Sequence, residues 1–558
     1  MNIGGSLTKM HEECASLAVP LTLVDSDNRP STTATTPGAC RFICQAADMN
    51  EYEVCLRQLA VFLWSCPMTS KLDCAPAADS RRWFAFAVLL IGAFLPPLDF
   101  FIVNVALPSI RSGLAITPAQ VQWVISGYAA SYAVFLITGG RLGDLLGRRR
   151  VFVAGMAGFG VASLICGLAN SPTILICGRV LQGLSAAAMA PQGLASIHAL
   201  FPEHERSRAL AVYGATIGFA AVVAQALGGL LISMNVWGLQ WRAVFLINLP
   251  IVIAVFIGGI RLLPDTRSQT PAPLDRIGVL LCALTVGLLV VPLVEGREAG
   301  WPWWLCLLLL GSPAVAAAFW RHEIALERRG GTPLVSPQLS RAPGLIAGLT
   351  GVLFFYVISA FFLTFSIYLQ DALGATPLTS GMMFVPFGVG FLIGPLTTPF
   401  AIRLFGRFVP AIGMMLEVMG CLILSVAVAI APAGESPQLA LVILAVGLLG
   451  FGQGWALPTL IRTVIDRAPP GGSGMISGVV NSALQISAAL GVAVLGGVFY
   501  ALATPAQTPS SLATGFIASL LGIAACLVVS ALLSVYASMP RLPKATAPFG
   551  VSVSPNLD

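Results

Sequence analysis

Arg81 and Arg82 are followed by Trp83–Pro108, WFAFAVLLIGAFLPPLDFFIVNVALP, a run of 26 residues in which Asp99 is the one charged side chain. Crossing a hydrocarbon core of ~30 Å takes about 20 helical residues at 1.5 Å of rise each. The run is long enough to span a bilayer as a helix, and the arginine pair anchors its first end in water. Working outward, thirteen further apolar runs follow, near 120–140, 151–169, 173–199, 209–233, 242–262, 277–295, 301–320, 344–369, 378–400, 408–430, 438–461, 475–502 and 513–537. Pro302 breaks the beginning of the run at 301–320. The runs are continuous rather than alternating, which suits helices and excludes a barrel of period-2 strands.

Composition agrees. Of 558 residues 57% are apolar, with 57 glycines besides, and 10% are charged, against about 25% in ordinary soluble domains. A soluble fold of this size needs a charged exterior that these residues cannot supply. Leu, Ile, Val and Phe are too abundant for a disordered chain. The expected class is an all-α polytopic membrane protein of 14 transmembrane helices, its outside facing the lipid bilayer.

Lys and Arg set the orientation. With a cytoplasmic N-terminus, 21 cations fall at cytoplasmic ends, among them Arg141 with Arg148–Arg150, Arg321 with Arg328 and Arg329, and Arg403 with Arg407; three, Arg111, Arg242 and Arg297, fall on the other side. The expectation is a multi-pass protein of the cytoplasmic membrane with both termini inside. Because these cations sit in short gaps between apolar runs, not together on a soluble face, no nucleic-acid partner is expected. The two longest gaps, 263–276 and 321–343, bracket the seventh and eighth runs. That divides the chain into an extension at 1–82, a six-helix bundle at 83–262, an inserted pair with its linkers at 263–343, a second six-helix bundle at 344–537 and a cytoplasmic tail at 538–558. Two repeated bundles suit a transporter, although the sequence echo is faint: Gly140–Arg150 is matched only by Arg403-Leu404-Phe405-Gly406-Arg407.

The extension is different material. It carries seven Lys/Arg against nine Asp/Glu and six of the twelve cysteines: Cys14, Cys40, Cys44, Cys55, Cys66 and Cys74. Cys40 and Cys44 lack a second matched pair, so no metal site is expected. The apolar stretch Leu59–Trp64 is too short for a signal peptide. The extension reads as a disordered cytoplasmic segment, with residues 1–67 dispensable and Met68 available as a start. Cys166, Cys177, Cys282, Cys306, Cys421 and Cys526 are scattered over the apolar runs and read as small packing residues.

Between the second and third runs stands Gly140-Arg141-Leu142-Gly143-Asp144-Leu145-Leu146-Gly147-Arg148-Arg149-Arg150. Glycines permit a tight turn, the carboxylate meets a helix end, and the cations hold the loop inside. This spacing resembles the loop motif of the major facilitator superfamily. Arg179-Val180-Leu181-Gln182-Gly183 is similar to that family's Arg-x-x-Gln-Gly pattern. Leu98–Pro108, Trp241–Pro250 and Ser477–Asn481 resemble segments of its fourteen-helix branch, the drug:proton antiporters of EmrB/QacA type. One departure stands in the fifth run: Ala224-Gln225 occupies the place of an expected Gly-Pro, while Gly214, Gly218, Gly228 and Gly229 are present. The resemblance covers about residues 83–540. It implies a major-facilitator fold, alternating access, a small-molecule substrate, and the proton gradient as energy source in place of a cofactor.

Ionisable groups inside the spans are costly and therefore functional candidates. Asp99, Arg179 and Glu417 are the clear cases. At helical rise, Asp99 lies about 13 Å and Arg179 about 9 Å below the outer surface, close enough in depth to pair. Arginine keeps its proton, whereas a carboxylate is tuned by its neighbour. Asp99 is thus expected to exchange the coupling proton while Arg179 stabilises its ionised form, with Glu417 the other deep carboxylate. The resemblance implies the same for Asp99 and Arg179. Gly140, Asp144, Gly147, Arg148 and Arg149 form the expected conformational loop. Candidates for lining a substrate cavity are Trp123, Tyr128, Tyr132, Gln182, Gln225, Tyr356, Gln453, Asn481 and Gln485.

These readings converge on a proton-coupled exporter of amphipathic drugs or metabolites. The same scaffold also serves uptake, or export of one defined metabolite, and the extension leaves open a membrane sensor. Nothing matches a Gly-x4-Gly-Lys-Ser/Thr nucleotide loop. The histidines (His11, His198, His204 and His322) form no metal-like grouping, so no enzyme is expected.

Overall fold

The computed structural model describes residues 21–24, 30–34, 80–267, 273–338, 343–468, 473–503 and 508–539. The chain divides into two units, Met1–Asp79 and Ser80–Asp558. In the first, β1 (Leu21–Val24) pairs antiparallel with β2 (Pro30–Ala34), in the register Leu21 to Ala34 and Leu23 to Thr32. The six cysteines of the extension, the start at Met68 and the tail beyond Met539 lie outside the described residues.

The second unit is helical. Its first half comprises α1 (Ser80–Leu114), α2 (Pro118–Leu146), α3 (Arg148–Gly167), α4 (Pro172–Leu200), α5 (Glu203–Met234) and α6 (Asn248–Leu262). There follow α7 (Arg276–Glu295) and α8 (Trp303–Arg328). The second half holds α9 (Pro343–Phe355, continued as Ser359–Ile367), α10 (Pro377–Met382, continued as Val385–Phe405), α11 (Val409–Ile430), α12 (Leu439–Ile465), α13 (Ser473–Ala503) and α14 (Pro509–Ser538). Four helices begin in the same way: Thr117-Pro118, Ser171-Pro172, Thr376-Pro377 and Thr508-Pro509, each hydroxyl accepting the backbone N–H three residues on. Proline in the first turn loses no helical bond, and the hydroxyl caps a free donor. Prolines also set the interruptions. Pro250 has no N–H to return to Leu246, where the one-turn helix Ala243–Leu246 ends, and Pro386 has none for Met382, where α10 breaks.

Among the described residues, thirteen stretches are long and apolar enough to cross a membrane, where the sequence led to an expectation of fourteen. The difference lies in Pro377–Ile430, a single stretch of 54 residues that contains both α10 and α11, joined by the turn Gly406–Phe408. At 1.5 Å per residue it is more than twice as long as one crossing needs. α1 also extends further than the sequence suggested, past Pro108 to Leu114.

Within the first half α2 packs on α4, α3 on α4 and α6, and α1 on α5 and α6. Adding eight to each number gives the second half: α10 on α12, α11 on α12 and α14, α9 on α13 and α14. The halves meet through α2 with α13 and through α5 with α10, which the same offset exchanges. Corresponding seams are closed by glycine. A Cβ on Gly139 would lie 2.0 Å from the Ala187 carbonyl oxygen between α2 and α4, and one on Gly450 would lie 1.8 Å from that of Phe387 between α10 and α12. Without a side chain, backbones approach closely enough for dispersion to hold them in lipid. α7 packs on α8 and touches both α2 and α13. The most apolar window of α8 is 11% buried against 72% in α1, so α8 shows most of its surface to the surroundings.

Candidate functional site

The ends of the helices differ in charge. The turn from α2 to α3, the end of α8 and the turn from α10 to α11 carry arginine clusters, and this is called the cation-rich end below. Midway along the first half lies a closed polar cluster drawn from four helices. Asp99 on α1, Ser163 on α3, Arg179 and Gln182 on α4, and Asn248 at the start of α6 are all fully buried. Arg179 Nη1 pairs with Asp99 Oδ2 and also donates to Gln182 Oε1 at 2.8 Å. Its Nε donates to the Val124 carbonyl at 2.8 Å. Asp99 Oδ1 accepts from Asn248 Nδ2 at 2.7 Å and from Gln182 Nε2 at 3.0 Å, and Gln182 Nε2 reaches Ser163 Oγ at 2.8 Å. Paired and hydrogen-bonded in this way, both charges meet the condition for burial. Arg179 and Gln182, three residues apart, share one helix face. The Tyr128 ring covers the guanidinium, with Cζ 4.4 Å from its centroid.

That ring also faces a cavity of about 1670 Å³ between the halves, opening toward the cation-rich end. Tyr128, Tyr132, Tyr356, Gln453, Asn481 and Gln485 line it, as do Phe100, Phe362, Phe387 and Phe391. The other three residues expected in the cavity lie elsewhere. Trp123 donates its indole N–H to Glu295 Oε1 at 2.5 Å, because α7 packs on α2. Gln182 belongs to the Asp99 cluster. Gln225 is buried where α5 meets α10, with the Gly381 backbone pressed against its carbonyl. Asp99, Arg179 and Glu417 do not line the cavity either; Tyr128 stands between it and the ion pair.

Glu417, on α11, is fully buried against α12, and neither carboxylate oxygen has a hydrogen-bond partner among the described residues. Gly452 makes room for it: a Cβ there would lie 2.8 Å from Glu417 Cγ. An ionised carboxylate without a partner is costly in such a place.

The loop motif ties several ends together at the cation-rich mouth. Gly147 turns the chain at φ +101°, a backbone conformation that favours glycine. Asp144 pairs with Arg148 at 3.3 Å, Arg148 Nη1 donates to the Ala195 carbonyl at 3.0 Å, and Arg149 reaches the Leu263 carbonyl at 3.5 Å. Gly140 lines the cavity at the same level. Arg141 donates to the carbonyls of Thr332, Pro333 and Pro273 on the linkers of the inserted pair. Nearby, Asp275 caps α7 through the Gly278 N–H at 2.9 Å and meets His322 at 2.9 Å. Burial pushes the Asp275 carboxyl up, but those two partners outweigh it and hold it below the usual carboxylate range.

The opposite end is closed by contacts between the halves. Arg111 pairs with Asp371 at 2.8 Å, joining α1 to the end of α9, and Gln370 Nε2 donates to the Val105 carbonyl at 3.0 Å. The turn after α7 adds a bridge: Glu298 Oε1 accepts the Ala119 N–H of α2 at 2.7 Å, while Arg297 donates to the Tyr500 carbonyl of α13 at 3.2 Å.

Sequence reasoning passed over Ser163, Asn248, Glu295, Glu298 and Asp371. Asn248 carried a signal, a polar residue entering an apolar run within Trp241–Pro250. Ser163 carried none.

The sequence pattern described as the Major Facilitator Superfamily matches residues 89–492. The chain is 36% identical to the probable actinorhodin transporter of Streptomyces coelicolor, over 78% of this chain and 75% of that one. It is likewise 36% identical to the puromycin resistance protein of Streptomyces alboniger, over 75% and 82%. Among solved structures, an auto inhibited POT family peptide transporter superposes with a TM-score of 0.58 at 17% identity, covering 84% of this chain and 99% of that one. That last likeness speaks for the fold.

Proposed function

The chain belongs to the major facilitator superfamily, and we propose that it is a proton-coupled exporter of amphipathic organic molecules working by alternating access. The observation that carries this reading is the buried Asp99–Arg179 pair set directly behind a wall of the central cavity. The names of its relatives support export: one is described as a probable transporter of actinorhodin and another as conferring resistance to puromycin.

The cation-rich end lies in the cytoplasm by the distribution of arginine, with fourteen crossings of the cytoplasmic membrane and both termini on its cytoplasmic side. The cavity is then open inward, and the Arg111–Asp371 pair and the α7 bridge hold the outer end shut. Substrate enters from the cytoplasm or the inner leaflet. After the cavity reopens outward, a proton from outside neutralises Asp99. Arg179 then loses its partner and the cluster joining α1, α4 and α6 relaxes, so that proton occupancy biases the arrangement of the first half. Each proton moving down the membrane potential supplies about 2.3 kcal/mol per 100 mV, so no cofactor is required. The test is accumulation of an aromatic fluorescent probe in everted vesicles bearing the protein. Accumulation on acidifying the lumen, abolished by a protonophore, supports the proposal; accumulation indifferent to the protonophore contradicts it.

A further inference from the structure

The charged residues lining the cavity, among the described residues, are Arg141, Asp144, Arg148 and Glu327, all at the cation-rich mouth. Each is already engaged: Arg141 with backbone carbonyls, Asp144 with Arg148, and Glu327 with the Ser336 hydroxyl at 2.9 Å. Deeper in, the walls are phenylalanine and tyrosine rings interrupted by the amides of Gln453, Asn481 and Gln485. The two deep carboxylates are out of reach, Asp99 behind Tyr128 and Glu417 behind α12.

A cationic guest would therefore have no counter-charge. A cation–π contact alone gives back less than the desolvation of an ion costs. The ring best placed to help, Tyr128, already faces the Arg179 guanidinium. An anionic guest would find, among the described residues, no lysine, arginine or histidine in the deep wall. A neutral guest meets neither penalty, and one feature favours it: Gln453 Oε1 is buried in the cavity wall with no hydrogen-bond partner among the described residues, an acceptor that a guest hydroxyl or N–H would satisfy once the amide turns into the cavity.

Resting on the export reading above, we propose that the transported molecule is uncharged, flat and aromatic, with hydroxyl or carbonyl groups on its edge. Its rings stack on Phe100, Phe362 and Phe387, and its polar edge meets Gln453, Asn481 and Gln485. The exchange of one neutral molecule for one proton would carry net charge, so the membrane potential alone would drive it.

Binding to purified full-length protein in lipid nanodiscs tests this with three probes: a neutral hydroxyanthraquinone, its sulfonate, and ethidium. The neutral probe should bind at least about tenfold more tightly than either ion, and Gln453→Glu should strengthen ethidium binding by a similar factor. Comparable binding of either ion to the native protein overturns the inference, and so does failure of the neutral probe to bind. A folded Gln453→Glu variant with unchanged ethidium binding overturns it too; Asn481→Asp takes its place if the first variant does not fold. Proton-driven transport of the same probes is scored separately. If none moves, export is rejected, while the order of binding still decides the chemistry of the cavity.

Discussion

The seam between α3 and α4 and its counterpart between α11 and α12 are built by the same packing, eight helices apart, yet they hold opposite kinds of polar chemistry. In the first, Arg179, Gln182 and Ser163 form a network that closes on Asp99 and draws in Asn248 from α6. In the second, Glu417 is buried with neither oxygen bonded among the described residues. A network spanning four helices can report a change of charge to all of them. An isolated acid in a glycine-lined slot can report to none. Fold symmetry is thus compatible with strong chemical asymmetry, the first half holding the buried ion pair and the second supplying the amides of the cavity wall.

The comparison predicts unequal damage. Arg179→Met should be the most harmful change, leaving Asp99 buried without its counter-charge at a cost of about 3–5 kcal/mol, read as a large loss of folded protein in a thermal melt. Asn248→Ala removes one bond to the Asp99 carboxylate and should cost about 1.5–3 kcal/mol while weakening the dependence of transport on the pH gradient. Gly452→Ala presses a methyl toward Glu417 and the Gly413 carbonyl oxygen; overpacking of this kind costs about 1–3 kcal/mol. Its transport per folded molecule should keep the native pH response, and a lost response would place coupling in the second seam as well. Asp144→Asn should cost least, because a half-exposed i,i+4 pair contributes about 0.5 kcal/mol or less. It should slow turnover with substrate affinity unchanged.

The apolar spans were legible because length and the absence of charge are properties of a single run. So was the pairing of Asp99 with Arg179, since depth along a helix can be counted from the sequence alone. Partners across helices were not: Ser163 and Asn248 join the cluster through the packing of α3 and α6, which no local pattern encodes. Trp123 looked like a cavity aromatic until α7 brought Glu295 to its indole. The separation of α10 from α11 was legible as well, as two runs divided near Arg403–Arg407, although the turn Gly406–Phe408 is so short that the two helices form one unbroken apolar stretch.

The most direct measurement sets Asp99→Asn beside Glu417→Gln in everted vesicles at matched protein level, following substrate accumulation as the lumen is acidified. Asp99→Asn should reduce proton-driven accumulation to background while retaining substrate binding, and Glu417→Gln should leave it near native. A full pH-gradient response in the Asp99 variant, or its loss in the Glu417 variant alone, would contradict the assignment of the coupling proton to the first half.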